Sequence, residues 1–183
     1  MGRAVGFLVL LLMVSGFYVF NTYIYRDRSH DGFTATDYKN GQYLIDGMLI
    51  ELYGGISQVP AAPGSASMIT TRYFGNEARG DFDKDGDEDV AFLLTYDGGG
   101  SGIFFYLVGA IKEDTGYRGT EGILIGDRIA PQSTEFRNGI VIVNYADRER
   151  GEPMTAEPSV AESVHLKYDP AAKNFMEVPM RTQ

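Results

Sequence analysis

The sequence predicts a mainly β protein: a single β-sandwich or barrel-like domain of about eight to ten strands, preceded by an N-terminal transmembrane helix. Short runs rich in β-branched and aromatic residues recur along the chain, separated by Gly, Pro, Asn and Asp turns. No helical periodicity interrupts these runs. An apolar stretch near the N-terminus predicts the transmembrane helix. With 183 residues, the chain has room for one domain with a sizeable core.

The N-terminal segment predicts a transmembrane signal anchor over residues 1–25. No charged residue lies between Arg3 and Arg26, and the apolar run approaches the roughly 20 residues that cross a bilayer. A cleaved signal peptide is the alternative, but no Ala-X-Ala cleavage site follows the apolar run. The polar residues 26–36 predict a juxtamembrane linker, so we expect the β-domain to comprise residues 37–183.

Turn signals and apolar runs locate the strands of this domain. Residues 90–96 and 103–111 are apolar on both faces, which is typical of central strands that are covered on both sides. The Asp46-Gly47 and Asn138-Gly139 pairs favour tight hairpin turns. Further strands are expected on either side of the central pair, among them residues 68–74, 123–129, 140–145 and 160–168.

Charge and cysteine content exclude several functions. The formal net charge is -9, and no basic cluster is present that would match a nucleic-acid backbone. We therefore expect no nucleic-acid partner. The chain has no cysteine, which excludes disulfides, thiolate nucleophiles, zinc-thiolate sites and lipid attachment at an N-terminal cysteine.

The most informative segment is acidic. Residues 80–94 read GDFDKDGDEDVAFLL, with aspartates at alternate positions and Gly86 in the middle. A hard dication needs several oxygens at short range, and alternate side chains converge on it when the backbone curls at a glycine. This pattern predicts a calcium site. Its expected ligands are the carboxylates of Asp81, Asp83, Asp85 and Asp89 and the backbone carbonyl of Asp87.

The flanks of the acidic segment distinguish it from an EF-hand. Phe92 occupies the position where an EF-hand has a bidentate glutamate, and strands are predicted on both sides in place of helices. The segment resembles the FG-GAP type of calcium loop in integrin-like propeller blades, and this resemblance implies the same five ligands. A single copy excludes a propeller, which needs several blades.

A wider resemblance concerns the succession of segments such as VPAAPGSAS, TTRYFGNEARGDFDKDGDEDVAFLL and GEPMTAEPSV. Over most of residues 59–166 the chain is similar to a group of small, uncharacterised exported bacterial proteins, some of which carry a lipoprotein leader. The resemblance implies a cell-envelope location and does not imply an activity. Here the predicted anchor replaces the lipoprotein leader.

These observations together predict a membrane-anchored, extracytoplasmic, calcium-binding β-domain. Extracellular modules bind calcium at millimolar levels, so a permanently occupied structural ion outside the cytoplasm is expected. The domain is interpreted as a binding or interaction module with an envelope protein or polysaccharide as partner. Residues that precede the acidic segment are candidates for its binding surface: Arg72, Tyr73, Phe74, Asn76 and Glu77.

The alternative is a calcium-dependent hydrolase that acts on an envelope polysaccharide or ester. Asp127, Asp147 or Glu152 would supply the acid and base, as paired carboxylates do in glycosidases. Arginines follow both aspartates, however, and the favoured interpretation is an ion-pair network between neighbouring strands. A hydrolase would require a pocket in which two of these carboxylates face each other without such neutralisation.

Overall fold

The computed structural model describes residues 34–179. The predicted anchor lies outside these residues, as does most of the predicted linker. Among the described residues no helix is both long and apolar enough to span a membrane. The helical structure in this range is one 3-10 turn, Tyr38–Asn40, whose N-cap Asp37 accepts a hydrogen bond from the backbone N–H of Lys39.

Twelve strands form in residues 34–179, and the named strands pair antiparallel. The mainly β prediction is confirmed, whereas the expected strand number of eight to ten is too low. The strands are β1 Gln42–Ile45, β2 Met48–Glu51, β3 Ile56–Pro60, β4 Met68–Gly80, β5 Asp89–Asp97, β6 Phe104–Glu113, β7 Gly116–Gly119, β8 Ile123–Asp127, β9 Ala130–Arg137, β10 Ile140–Asp147, β11 Val160–Asp169 and β12 Asn174–Glu177.

The strands form three sheets. The largest has the order β3-β4-β5-β6-β7, with β8 also paired to β6. A second sheet has the order β12-β11-β10-β9, and β1 and β2 form a separate hairpin. The predicted central strands β5 and β6 are therefore central in the structure. Every side chain from Asp89 to Leu94 is buried, as expected for a strand that is covered on both faces.

Two hydrophobic clusters cover the two faces of the six-stranded sheet. Side chains alternate along β5, so Leu93 and Phe92 belong to different clusters. The first cluster joins Leu93 to Val143 and Leu166 of the four-stranded sheet. The second joins Phe92 to the β1–β2 hairpin, where Tyr43 is fully buried. Each face of the central strands thus has its own partner.

The short strand β7 is one that the sequence did not predict, because two of its four residues are glycines, which strands disfavour. Its position depends on tertiary packing. A Cβ atom at Gly119 would overlap the carbonyl oxygen of Gln42 and would lie 2.8 Å from Cδ1 of Tyr43. Glycine at this position lets the β1 backbone approach the edge of the six-stranded sheet.

Strand β4 is longer than predicted, continuing beyond Phe74 to Gly80. Its register with β5 shifts around Gly75, which has φ of 104°, and the next residue, Asn76, has φ of 50°. Such a bulge keeps a strand paired although Gly and Asn are typical of turns. The extension matters for function because β4 now ends at Gly80, directly before the acidic segment.

Candidate metal centre

The acidic loop, residues 81–88, connects β4 to β5 within the six-stranded sheet. Gly80 and Asp89, at its two ends, are paired in the β4–β5 ladder. Phe82 anchors the loop in the core, where its ring packs edge-on against Phe136 of β9 at 4.9 Å and Phe175 of β12 at 5.6 Å between ring centroids. The loop is therefore fixed by both sheets, although most of its polar residues are exposed.

Three carboxylates of this segment converge. Asp81, Asp83 and Asp89 each offer one oxygen, and these oxygens lie within 4.8 Å of one another. This acidic cluster (Asp81, Asp83 and Asp89) could hold a metal ion. Carboxylate oxygens are the donors that hard cations such as calcium and magnesium prefer.

Asp89 is the fully buried member of the cluster. Its two oxygens accept the backbone N–H groups of Phe82 at 2.7 Å and Lys112 at 2.8 Å. No cationic side chain pairs with it in residues 34–179. Burial raises the pKa of Asp89 to about 6, with smaller contributions from the charges of Asp83 and Asp85. Because a buried carboxylate without a counter-ion is costly, a bound cation would stabilise this arrangement.

The loop backbone curls around the other carboxylates. The N–H of Asp85 donates to Asp81 Oδ1 at 3.1 Å and to Asp83 Oδ1 at 3.3 Å, and the N–H of Gly86 donates to Asp81 Oδ2 at 3.1 Å. Gly86 has φ of 99°, a conformation that glycine adopts without strain. Burial, followed by the charges of Asp85 and Asp81, raises the pKa of Asp83. These carboxylates are therefore held close together against their mutual repulsion.

The structure thus brings together three of the five predicted ligands. Asp85 and Asp87 lie exposed in the same loop, where the N–H of Asp87 donates to Asp85 Oδ1 at 2.8 Å. Their roles as ligands stay predictions. Sequence reasoning missed the two groups that position Asp89. Phe82 is the one apolar residue within the acidic run, and this pattern could have indicated that the loop is anchored in the core at that residue. Lys112 lies in β6, and no feature of the sequence indicated its contact with Asp89.

The predicted binding surface lies on both faces of β4. Tyr73 packs against Phe92 with ring centroids 5.3 Å apart, whereas the neighbouring Phe74 packs edge-on against Phe105 in the other cluster. Arg72 is exposed, and the Nδ2 atom of Asn76 is buried with no hydrogen-bond partner among residues 34–179. Tyr73 and Phe74 therefore contact opposite sides of the sheet, and the binding role of these five residues stays a prediction.

Glu77, the last of those candidates, is the centre of a hydrogen-bond network. Its Oε1 accepts the hydroxyls of Tyr38 at 2.7 Å and Tyr73 at 2.5 Å, and its Oε2 accepts Nη2 of Arg79 at 2.8 Å. Arg79 also forms an ion pair with Glu88 of the acidic loop. Burial alone would raise the pKa of Glu77, but the hydrogen bonds from these three partners lower it overall. Through this network the 3-10 turn that contains Tyr38 is connected to the acidic loop.

We expect Glu77→Gln to lower the free energy of unfolding at pH 7 by about 1–2 kcal/mol, because it weakens hydrogen bonds to a charged acceptor. A carboxyl whose pKa is lowered by folding contributes stability above its unfolded pKa of about 4.3, and this contribution is lost as the pH falls through the lower native value. Urea unfolding from pH 7 to pH 3 should therefore show the two proteins converging. The exposed Glu121→Gln is the control, and a difference independent of pH would contradict the charge-based explanation.

The carboxylates proposed for hydrolysis are engaged in local interactions. Asp127 accepts Nη2 and Nε of Arg128 at 2.9 and 3.1 Å, and this hydrogen-bonded pairing lowers its pKa. Asp147 lies 3.9 Å from Nη1 of Arg148, which also donates to the carbonyl of Arg128. Glu152 accepts the backbone N–H of Glu149. Neutralisation of Asp127 favours a structural role for it over general acid–base catalysis.

Comparison of the chain with protein-family models, curated proteins and solved structures finds no match. The resemblance to FG-GAP loops therefore rests on the residues of the acidic loop alone, and their geometry carries the functional interpretation.

Proposed function

We propose that the protein is a membrane-anchored, extracytoplasmic β-sandwich domain that holds a structural calcium ion and acts as a binding module of the cell envelope. The observation that carries this proposal is the buried carboxylate of Asp89, which lies beside Asp81 and Asp83 with no cationic partner in residues 34–179. Such an arrangement costs stability unless a proton or a cation compensates the charge.

Calcium fits the donor set better than other common ions do. All available side-chain donors are oxygens, which disfavours zinc and copper because these ions prefer nitrogen and sulfur. Calcium accepts six to eight oxygens in irregular geometry, whereas magnesium requires a near-ideal octahedron and keeps several waters. A curled loop in which Asp85 and the Asp87 carbonyl can add to the acidic cluster matches calcium.

The anchoring of the loop supports a structural role for the ion. Phe82 is buried between the two sheets and Asp89 is held by N–H groups of two segments. An ion bound here would stabilise the junction of β4, β5 and β6 in one arrangement. Because calcium reaches millimolar concentrations outside cells, permanent occupancy agrees with an extracytoplasmic domain.

Direct titration tests the calcium site. We expect the full chain in mild detergent, after removal of metal with EDTA, to bind one calcium ion in isothermal titration calorimetry. Asp83→Asn should weaken binding at least about tenfold, because calcium affinity depends on the number of charged ligands. Asp114→Asn, which changes the net charge equally at an exposed turn, should bind as the parent does. Binding by Asp83→Asn with parental affinity, or no binding by the parent, would refute the site.

A fusion experiment tests the membrane topology. Alkaline phosphatase is active only after export, so its fusion to the C-terminus should be active in bacterial cells if the domain lies outside the cytoplasm. An inactive but intact fusion in the membrane fraction would overturn the proposed orientation.

A further inference from the structure

The β3 end of the six-stranded sheet is open to solvent. Four of the five residues of β3 are exposed, and neither hydrophobic cluster contains a residue of this strand. Within residues 34–179, β3 pairs with β4 on one side and with no named strand on the other. The two sheets therefore do not enclose this end of the larger sheet.

The ladder register shows which face is open. Ile56 of β3 lies opposite Arg72 of β4, and Arg72 lies opposite Thr95 of β5. Thr95 in turn lies opposite Phe105, a buried member of the first cluster. Residues directly opposite each other in neighbouring strands share a face. Arg72 and Ile56 therefore lie on the face that packs, farther along, against the four-stranded sheet, but both are exposed.

Three exposed apolar side chains accompany Arg72 on this face. Besides Ile56, Met68 lies four residues before Arg72 in β4, and alternation along the strand puts both on one face. Phe74 contacts Phe105 edge-on at 5.2 Å between ring centroids, so its ring is also on this face. The β3–β4 patch comprises Ile56, Met68, Arg72 and Phe74.

The side chain of Arg72 has no partner within residues 34–179. Its backbone carbonyl accepts the hydroxyl of Thr95, but its guanidinium makes no hydrogen bond, ion pair or ring contact. Asp97, diagonally across from it in β5, accepts the N–H of Gly99 and does not pair with it. Other arginines of this range pair with carboxylates: Arg79, Arg118, Arg128, Arg137 and Arg148. The patch thus offers an unpaired cation that suits a carboxylate from outside the domain.

The composition of the patch is typical of a protein interface. Aromatic residues, Met and Arg are enriched in interfaces relative to the remaining surface, whereas Lys, Glu and Asp are depleted. The patch contains one residue of each enriched kind, one Ile and no acidic residue. A partner protein that supplies both a carboxylate and apolar side chains would complement it.

Other occupants match the patch less well. Two copies of the patch in a symmetric contact would bring Arg72 against Arg72 without a carboxylate between them. Anionic membranes are recognised by clusters of four or more cations, and the patch has one. A polysaccharide offers few apolar groups to Ile56 and Met68.

We propose that the β3–β4 patch binds a segment of a partner protein in which apolar side chains flank a carboxylate. The carboxylate pairs with Arg72, and the flanking side chains contact the three apolar residues of the patch. This inference rests on the proposed function as a binding module and names the class of its partner. Of the residues that the sequence suggested it retains Arg72 and Phe74, and it adds Ile56 and Met68.

Peptide selection tests the inference. The full chain, in mild detergent with calcium and immobilised through a C-terminal tag, is offered a phage library of random dodecapeptides. We expect the enriched peptides to share an Asp or Glu flanked by apolar residues. Synthetic copies are then titrated by fluorescence anisotropy. Replacement of the shared acid by its amide should weaken binding at least about tenfold, because it leaves Arg72 unpaired in the complex.

Variants of the protein locate the binding. Arg72→Gln should weaken binding of the selected peptides at least about tenfold. Arg150→Gln, which removes an exposed arginine outside the patch, is the matched control and should bind as the parent does. Ile56→Ser should weaken binding several-fold, whereas Leu124→Ser, at an exposed apolar residue of β8, should not. Thermal unfolding by circular dichroism confirms that the variants are folded.

Charge reversal gives a readout that misfolding cannot imitate. Arg72→Glu should lose the selected peptides and bind counterparts in which lysine replaces the shared acid. Failure to bind these counterparts, together with parental binding of the acidic peptides, would show that Arg72 does not contact the carboxylate.

The outcomes separate this inference from the calcium site. The inference is overturned if no acidic and apolar peptides are enriched, or if Arg72→Gln binds them as the parent does. Arg72-dependent binding of polygalacturonate, an anionic polysaccharide, in place of peptides would also overturn it. If calcium binds but these peptide results fail, the calcium site stands without the partner inference. If the peptides bind through Arg72 but calcium does not bind, the partner inference stands and the calcium site is refuted.

Discussion

Phe82→Ala should lower the free energy of unfolding by about 3–5 kcal/mol, the usual range for a buried phenylalanine. The ring is buried and contacts Phe136 and Phe175 of the second sheet. Its removal leaves a cavity at the place where the acidic loop is anchored. Urea unfolding monitored by circular dichroism, in EDTA and in calcium, measures the loss.

Phe74→Ala is the matched control for this variant. Phe74 also makes an edge-on ring contact, with Phe105, but 46% of it is exposed. Hydrophobic stabilisation scales with the apolar area removed from water, and a partly exposed ring leaves a smaller cavity, so the loss should be clearly smaller than that of Phe82→Ala. Equal losses for the two variants would show that Phe82 does not anchor the loop in the way the contacts indicate.

In the calcium-free protein, stability should fall as the pH rises from about 4 to about 6, because Asp89 must ionise in a buried position. Its pKa is about 6 in the folded protein, against about 3.9 in an unfolded chain. Between these values the native state keeps a proton that the unfolded state releases, so the free energy of unfolding decreases with pH and levels off above the native pKa. The difference corresponds to about 3 kcal/mol.

Asp89→Asn isolates this contribution. Glu77 and Asp127, whose pKa values are lowered by folding, change stability in the opposite direction, and they do so equally in both proteins. We therefore expect the calcium-free parent to lose stability relative to Asp89→Asn over this pH range. Parallel pH profiles for the two proteins would contradict the assigned cost of ionisation.

Calcium should offset this loss in the parent. The ion binds the ionised carboxylate, and at about a hundred times its dissociation constant it adds roughly 2.7 kcal/mol to the free energy of unfolding. Protons compete for the same oxygens, so the added stability should be larger at pH 7 than at pH 5. Asp89→Asn should show little stabilisation by calcium at either pH. Thermal unfolding at both pH values, with EDTA or calcium, supplies the comparison.

In the candidate site, some contacts are made by residues close in sequence and others by residues from distant strands. The spacing of Asp81, Asp83 and Asp85 around Gly86 is a local feature, since a curled backbone brings alternate side chains to one side. For this reason the sequence alone predicted that Asp81 and Asp83 come together, and the structure places them with Asp89 in a cluster that could hold a metal ion. The support of Asp89 by the backbone N–H of Lys112 comes from β6, a strand distant in sequence. No spacing rule reveals such neighbours.

The same division applies to the fold. The sequence by itself determined the mainly β class, the central strands β5 and β6, and the Asp46-Gly47 and Asn138-Gly139 hairpins, because alternation, two-sided apolarity and positive φ are local properties. Tertiary structure alone decided that Gly119 belongs to a strand and that β4 continues through a bulge at Gly75. In both places the propensity of glycine opposes a strand, and pairing and close packing with distant residues outweigh it.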